Sequence, residues 1–255
     1  MARDLEKYLR PGLGQTPFCP GCGLGILMGA ILRAIDELKL NIDDILFVSG
    51  IGCAAWVPSP HFNADTLHTL HGRAIAFATG AKMFNPKLKI IVISGDGDLG
   101  DIGGNHLIHA ARRDMDFTVI CANNNNYGQT GGQTCCTTPK GSLTATATRG
   151  TVFRPFDLCK LVQGAGAAYV ARYSVAQPIP LKKSIKKALE IPHFSFIEAF
   201  SPCPTQFGRR NRFDSPAAML QKYKDICISR DEAKTLSPEE LNEKIITGEF
   251  CDGIN

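Results

Sequence analysis

We predict an α/β fold in which a doubly wound, mostly parallel sheet is covered by helices on both faces. Two short apolar runs, residues 89–94 and 117–122, are continuous and rich in β-branched side chains, as is typical of strands buried on both faces. Each run ends in glycine or asparagine residues, and a segment of helical periodicity separates the two. The chain has 255 residues, of which 44% are hydrophobic, enough for one sizeable core.

The remaining elements follow from hydrophobic period and from glycine and proline punctuation. Short apolar runs predict five strands, at residues 45–49, 89–94, 117–122, 168–171 and 194–200. Helical spacing predicts helices at residues 24–38, 71–84, 101–113, 157–164, 181–189 and 216–223. Residues 134–156 lack a period and predict a long loop. We expect one domain over residues 1–212 and a C-terminal extension over 213–255, which wraps this domain or a partner or is mobile.

Polar side chains follow two neighbouring strands of the predicted sheet. Asp96 lies between two glycines directly after one strand, and the next strand runs into four consecutive asparagines. The carboxyl ends of parallel strands share one edge, so Asp96 and Asn124 are expected to lie close together. Carboxylate and amide oxygens suit a magnesium ion that holds a diphosphate. Either motif alone is a common turn or loop, and only the pair indicates a site.

Four cysteines are expected at the same edge. Cys19 and Cys22 form a Cys-Pro-Gly-Cys motif, whose spacing serves thiol–disulfide exchange, zinc or an iron–sulfur cluster. The preceding residues are rich in proline and glycine, which argues against the strand that a thioredoxin-like site requires. Cys53 and Cys203 each follow a predicted strand. Four thiolates can therefore converge there, around zinc or around a cluster.

Together these motifs resemble the β subunit of the 2-oxoacid:ferredoxin oxidoreductases. The paired Gly-Asp-Gly and Asn-Asn motifs resemble the signature of thiamine diphosphate enzymes, which implies the fold that binds the diphosphate half of that cofactor. The resemblance runs from about Thr16 to Asn211. It implies magnesium held by the side chains of Asp96 and Asn124 and the backbone carbonyl of Asn126. It also implies a [4Fe-4S] cluster held by the family's cysteine motifs, which fall at Cys19, Cys22, Cys53 and Cys203.

The resemblance also implies which neighbours of these ligands contact the cofactor. They flank the ligands along the chain: Cys53, Gly95, Gly97, Asp98, Tyr127, Gly128 and Gln129. Gln129 falls where the family has a polar contact to cofactor or substrate, which makes it the candidate catalytic residue. A plain turn residue is the alternative. His71 could face the site, although a histidine that opens a helix is more often a cap.

The activity that the resemblance implies is the oxidative decarboxylation of a 2-oxoacid with coenzyme A, with electrons passing through the cluster to ferredoxin. The family's partner α subunit would supply the pyrimidine-binding half and the activating glutamate. The segment from Cys203 to Asn211 resembles the 2-oxoglutarate branch, and Arg209, Arg210 and Arg212 could pair with a second carboxylate or be solvated. Alternatives are a pyruvate or branched-chain 2-oxoacid enzyme, a non-redox thiamine diphosphate decarboxylase or synthase subunit, and a cysteine-rich scaffold.

Composition bounds the setting of the protein. The net charge of +4 has interspersed signs and no aromatic–basic stripe, so nucleic acid is not an expected partner. The amino terminus has no apolar signal region and no later run has the length of a membrane span, so we expect a cytoplasmic protein and no membrane partner. Ten cysteines in a long chain fit a reducing, anaerobic or microaerobic compartment. Cys121 is expected in the core, and the Cys135–Cys136 pair has no assigned role.

Overall fold

The computed structural model describes residues 5–13 and 15–252. Its strands are β1 Ile45–Ser49, β2 Asp65–His68, β3 Lys89–Gly95, β4 Thr118–Asn123, β5 Tyr169–Ser174, β6 Ser195–Phe200, β7 Cys227–Ser229 and β8 Ile245–Asp252. They form one eight-stranded sheet in the order β2-β1-β3-β4-β6-β5-β8-β7. The pairs from β2 through β5 are parallel, whereas β8 runs antiparallel to β5.

Helices cover both faces of this sheet. They are α1 Leu24–Leu38, α2 Ala74–Phe84, α3 Gly104–Arg112, α4 Leu158–Gly164, α5 Pro178–Glu190, α6 Pro216–Ile226, α7 Arg230–Ala233 and α8 Pro238–Leu241. Strand β3 shows the two-sided burial directly: Ile91 and Ile93 join the core with α1 and α5, and Ile90 and Val92 join the core with α2, α3 and α4. The predicted doubly wound α/β architecture is confirmed.

The helix predicted over residues 101–113 is wrong at its start. Residues Asp98–Ile102 form a wide π-type turn, in which the Gly103 N–H donates to the Asp98 carbonyl at 3.0 Å, and α3 begins only at Gly104. A β-carbon at Gly103 would lie 2.6 Å from that carbonyl oxygen. The turn therefore depends on glycine, and the helical period of the sequence does not reveal it.

The C-terminal residues add to the sheet. Strand β8 pairs with β5 from Tyr169 to Arg172, and β7 pairs with β8. In the described residues the C-terminal extension therefore wraps its own domain, which is one of the alternatives predicted from the sequence. The boundary at residue 212 stays a prediction. None of the helices in residues 5–13 and 15–252 combines the length and apolar character that crossing a bilayer requires.

Candidate active site

The carboxyl ends of four adjacent strands, β1, β3, β4 and β6, bring the predicted motifs to one edge of the sheet. Gly95 at the end of β3 is in register with Ala122 on β4, and Asn123 at the end of β4 is in register with Phe200 on β6. One cavity at this edge is lined by residues from three of the four strand ends, among them Cys53, Gly95, Asp96, Gly97, Asp98, Asn124, Asn126, Tyr127, Gly128 and Gln129. The structure therefore brings together the predicted magnesium ligands and Cys53.

Asp96 is a buried carboxylate whose hydrogen-bond partners are neutral. Its side chain is 1% exposed, and Oδ2 accepts from the Cys135 thiol at 3.2 Å and from the Thr137 hydroxyl. Burial raises the pKa of Asp96 to about 6, and the bonds from Thr137 and Cys135 oppose that rise. A buried acid without a cationic neighbour in these contacts fits a bound cation, because a metal ion would compensate the charge.

The asparagine run folds into a tight turn beside Asp96. Asn124 Oδ1 accepts from the backbone N–H of Asn126 at 3.2 Å, and Asn125 adopts the left-handed conformation with φ of 62°. Asparagine tolerates this conformation better than most residues. Asn126 is 3% exposed, and its Oδ1 has no hydrogen-bond partner among the described residues. An unpartnered buried oxygen in the same cavity as Asp96 also fits a cation or its ligand.

Two cysteines from distant parts of the chain meet beside this turn. The position that a β-carbon would take at Gly128 is 3.5 Å from the Sγ atoms of Cys53 and Cys203 and 3.5 Å from Nδ2 of Asn124. The Cys-Pro-Gly-Cys motif is tied to the same place, since the N–H of Gly23 donates to the carbonyl of Pro202 at 3.2 Å. Two thiol groups and the side chain of one predicted magnesium ligand, Asn124, therefore meet around one glycine.

All four predicted cluster cysteines share one electrostatic neighbourhood. Burial, together with the charges of Cys203 and Cys19, raises the pKa of Cys22 to about 11, and a backbone hydrogen bond at Leu24 opposes that rise. Burial is the largest cause, and the charges of Cys203, Cys22 and Cys19 add to it, in raising the pKa of Cys53 to about 12. Partly buried thiols that oppose each other's ionisation fit a metal centre, because a cation would stabilise the thiolates.

No three of the four predicted cluster thiols lie within 4.8 Å of one another in this structure. Among the described residues, the only three or more potential ligand atoms within 4.8 Å of one another belong to Asp157, Cys159 and Glu198. Tetrahedral zinc with bonds of about 2.3 Å would hold its sulfurs roughly 3.8 Å apart. In this structure the four thiols are therefore not gathered around the position of a single ion.

Comparisons with known proteins identify the family of this chain. Residues 50–199 match the family described as thiamine pyrophosphate enzyme, C-terminal TPP binding domain. The 2-oxoglutarate synthase subunit KorB of Methanothermobacter marburgensis is 50% identical over 96% of this chain and 86% of its own length. The 2-oxoacid:ferredoxin oxidoreductase subunit beta of Sulfolobus sp is 37% identical over 89% of this chain and 74% of its own. The chain belongs to the family of 2-oxoacid:ferredoxin oxidoreductase β subunits.

A solved structure shows the same fold over the whole chain. It is a 2-oxoglutarate:ferredoxin oxidoreductase from Magnetococcus marinus with 2-oxoglutarate, coenzyme A and succinyl-CoA bound, and its matching chain is 30% identical to this one. The match has a TM-score of 0.86 and covers 100% of this chain and 86% of the other. The predicted family and the predicted thiamine diphosphate-binding fold are confirmed.

Asp98, predicted to contact the cofactor, uses its carboxylate to hold the protein together. Oδ1 lies 2.6 Å from Nδ1 of His71 and accepts from the N–H of Gly72 at 2.7 Å, and Oδ2 accepts from the Ser94 hydroxyl. This buried side chain joins the end of β3 to the loop that precedes α2. It lines the cavity, but its oxygens are engaged within the β subunit itself.

Tyr127 and Gln129 both line the cavity, but they make different contacts. The Tyr127 hydroxyl donates to Oδ2 of Asp101 at 2.7 Å, and its ring lies against Gly97, where a β-carbon would be 2.5 Å from Cε1. Gln129 is exposed and accepts from Nε1 of Trp56 at 3.1 Å. Sequence reasoning missed Trp56, although it is the single tryptophan of the chain and lies three residues after Cys53.

The loop that follows the asparagine turn contacts Asp96, and the Cys135–Cys136 pair belongs to this loop. Cys135 and Thr137 donate to the Asp96 carboxylate, and the N–H of Cys136 donates to Oδ2 of Asp101 at 3.0 Å. The Thr138 hydroxyl donates to the carbonyl of Asn125 at 2.8 Å. This loop therefore connects the end of β3 to the asparagine turn, a role that its irregular sequence does not indicate.

The three arginines predicted near the substrate are not in the cavity that contains Asp96. Arg210 donates to the carbonyl of Gly131 at 3.0 Å, so it reaches the loop that follows Gln129. Arg209 and Arg210 are exposed, and neither they nor Arg212 line that cavity. Their pairing with a second substrate carboxylate stays a prediction.

Proposed function

We propose that this β subunit binds the diphosphate half of thiamine diphosphate through magnesium and holds a [4Fe-4S] cluster beside it. The complex would convert one 2-oxoglutarate, one coenzyme A and two oxidised ferredoxins into succinyl-CoA, carbon dioxide, two reduced ferredoxins and one proton. The observation that carries this proposal is the convergence of Asn124, Cys53 and Cys203 on Gly128, a residue that lines the same cavity as Asp96. A carbon-oxidising cofactor and a one-electron acceptor need such proximity.

The magnesium site would use the ligands that the sequence motifs predict. Asp96 would supply its carboxylate, Asn124 its side-chain oxygen, and Asn126 its backbone carbonyl, with the unpartnered Asn126 Oδ1 as a further acceptor. Thiamine diphosphate, when bound, supplies the electron sink for decarboxylation. Cys135 and Thr137 would keep the Asp96 carboxylate in one orientation, as partners of metal ligands generally do.

The cluster would use Cys19, Cys22, Cys53 and Cys203. Their mutual influence on ionisation and their spacing beyond a single-ion site support a polynuclear centre. Cys19 is exposed, which fits a cluster that an external carrier reaches. Ferredoxin is that carrier in the proposed reaction.

An α subunit would cover the open edge of the site and bring the glutamate that activates the aminopyrimidine. Large apolar side chains are exposed around this edge: Leu70, next to His71, is 70% exposed, and Phe153, which shares a second cavity with Tyr127, is 80% exposed. Exposed apolar groups grouped near a site indicate a protein interface. The KorB relatives are named as subunits of a larger enzyme, which supports the same arrangement.

The choice of 2-oxoglutarate is tested by steady-state kinetics on the anaerobically purified complex. We expect a higher kcat/KM for 2-oxoglutarate than for pyruvate or 2-oxoisovalerate, with coenzyme A and ferredoxin present. The names of the 50%-identical relative and of the solved structure support this order. A preference for either other acid would refute the substrate and leave the cofactor assignment in place.

A further inference from the structure

A buried charged network lies beneath the asparagine turn. Arg172 on β5 and Glu198 on β6 occupy paired positions of neighbouring strands and are 8% and 1% exposed. Arg172 Nε donates to Oε2 of Glu198 at 2.6 Å, and another guanidinium nitrogen donates to Asp157. Asp157, Cys159 and Glu198 bring three potential metal ligands together, but the Arg172 guanidinium already supplies the positive charge between the two acids. The network is therefore an ion-pair network.

Glu198 connects this network to the end of β4. Its Oε1 accepts from Nδ2 of Asn123 at 2.7 Å, while Oε2 accepts from Arg172 and from the Cys159 thiol at 3.4 Å. An ionised carboxylate only accepts hydrogen bonds, so it determines which end of the Asn123 amide faces it. The amide oxygen must then face the other way, where it accepts from the N–H of Asn125 at 3.0 Å.

We propose that Glu198 and Arg172 are positioning residues, which orient the Asn123 amide and thereby fix the turn that carries the donors of Asn124 and Asn126. This inference rests on the proposed function, because it concerns how the magnesium ligands are held. Asn125 is in the left-handed region, with φ of 62°, and its N–H is bonded to Asn123. Without that bond the turn loses one of the contacts that hold it in this conformation.

The substitution Glu198→Gln tests this series of contacts from Arg172 through Glu198 to Asn123, because the glutamine side chain has nearly the same shape as glutamate. If the new amide turns its oxygen toward Asn123, its NH2 group faces the N–H of Arg172, and two donors oppose each other. If it turns its NH2 group toward Asn123, the Asn123 amide must flip and face the Asn125 N–H with its own NH2 group. Either arrangement disturbs the turn, and we expect the Kd for Mg²⁺ at saturating thiamine diphosphate to rise about 10- to 100-fold.

The double variant Glu198→Gln/Arg172→Met distinguishes a changed orientation of the Asn123 amide from a general loss of stability. Without the guanidinium, the introduced glutamine can turn its oxygen toward Asn123 and its NH2 group toward Asp157, whose carboxylate lies within 4.8 Å of the Glu198 carboxylate in the native chain. We therefore expect the double variant to bind Mg²⁺ more tightly than Glu198→Gln alone, although its ion pairs are gone and its Tm is no higher than that of the single variant. If Glu198 and Arg172 served only to stabilise the fold, the losses would be additive. The double variant would then have a lower Mg²⁺ affinity and a lower Tm than the single variant.

The measurements are calorimetric Mg²⁺ titrations of the αβ complex at saturating thiamine diphosphate, and thermal unfolding of the same complex after the cofactor has been removed. Asn123→Ala leaves the Glu198–Arg172 pair intact and should weaken Mg²⁺ binding by a similar factor, so it decides the question if Glu198→Gln fails to assemble. Native affinity in Asn123→Ala, or a double variant that binds more weakly than the single one, overturns the inference. Asp96→Asn is the reference for the site itself: if it retains native affinity, the proposed magnesium site is wrong, whatever Glu198 does.

Discussion

Alanine substitutions at the two glycines that flank Asp96 are expected to have different effects. Gly97→Ala should lower the stability of the protein, and Gly95→Ala should lower its affinity for the cofactor. A β-carbon at Gly97 would lie 2.5 Å from Cε1 and 2.7 Å from Cζ of Tyr127. The ring would have to retreat by several tenths of an ångström or more, yet its hydroxyl is held by Asp101 at 2.7 Å and by the Gly97 carbonyl at 3.3 Å. We expect Gly97→Ala to cost about 1–3 kcal/mol of stability, as overpacking does.

At Gly95 a β-carbon would meet nothing within 4 Å, and the backbone is in the ordinary strand conformation. Gly95→Ala should therefore leave the stripped protein as stable as before, or more stable by about 0.4–1 kcal/mol. The methyl group would instead enter the cavity that Asp96 and Asn124 also line. An overlap with the cofactor of about 1–3 kcal/mol corresponds to a roughly 5- to 150-fold rise in its Kd.

The assay pairs thermal unfolding of the stripped complex with calorimetric titration of thiamine diphosphate and Mg²⁺. Gly97→Ala should lower Tm by several degrees, and Gly95→Ala should lower affinity while Tm stays the same or rises. The reasoning is refuted if Gly95→Ala binds the cofactor like the wild type, because the open space at Gly95 would then have no ligand to fill it.

Three further outcomes test other contacts of the site. Cys203→Ser should lose iron and acid-labile sulfide, whereas Cys121→Ser, in the buried core of β4, should retain both; the reverse pattern would contradict the ligand assignment. Thr137→Val removes a hydrogen bond to Asp96 and should raise the Kd for Mg²⁺ about 10- to 100-fold. Thr151→Val removes a bond to the carbonyl of Pro139 in the same loop and should not change that Kd; equal effects would show that the loop, and not the Asp96 contact, is responsible. Arg210→Met should raise KM for 2-oxoglutarate more than KM for pyruvate if the guanidinium meets the second carboxylate, and equal changes would assign it to the Gly131 loop alone.

The central strands of the sheet could be predicted from the sequence because local sequence patterns specify them. Strands β3 and β4 are continuous β-branched runs, and the polar residues that follow them reach the same edge in any parallel sheet. Strand β2 is four residues long, partly exposed and mixed in composition, so no period marks it. Strand β8 is defined by its long-range pairing with β5, which composition does not encode.

The site shows the same division between local and long-range information. Asp96 and Asn124 follow strands directly, so their position was predictable. Cys135 and Thr137 lie in an irregular loop, where nothing in the sequence specifies which side chain reaches Asp96. Glu198 and Arg172 did leave a signal, since each is a charged residue inside a buried strand and needs a partner there. That signal identifies a buried pair but not its contact with Asn123.

The proposed cluster must lie close enough to the thiamine diphosphate site to receive electrons from the 2-oxoacid. Anaerobically purified complex should contain a protein-bound iron–sulfur chromophore, whose visible absorption bleaches when 2-oxoglutarate and coenzyme A are added without ferredoxin. The Asp96→Ala complex should contain the same chromophore and show no bleaching, because the proposed cluster cysteines are unchanged while the proposed magnesium ligand is lost. A wild-type complex without iron and sulfide, or one whose absorption is unaffected by 2-oxoglutarate, would contradict the account.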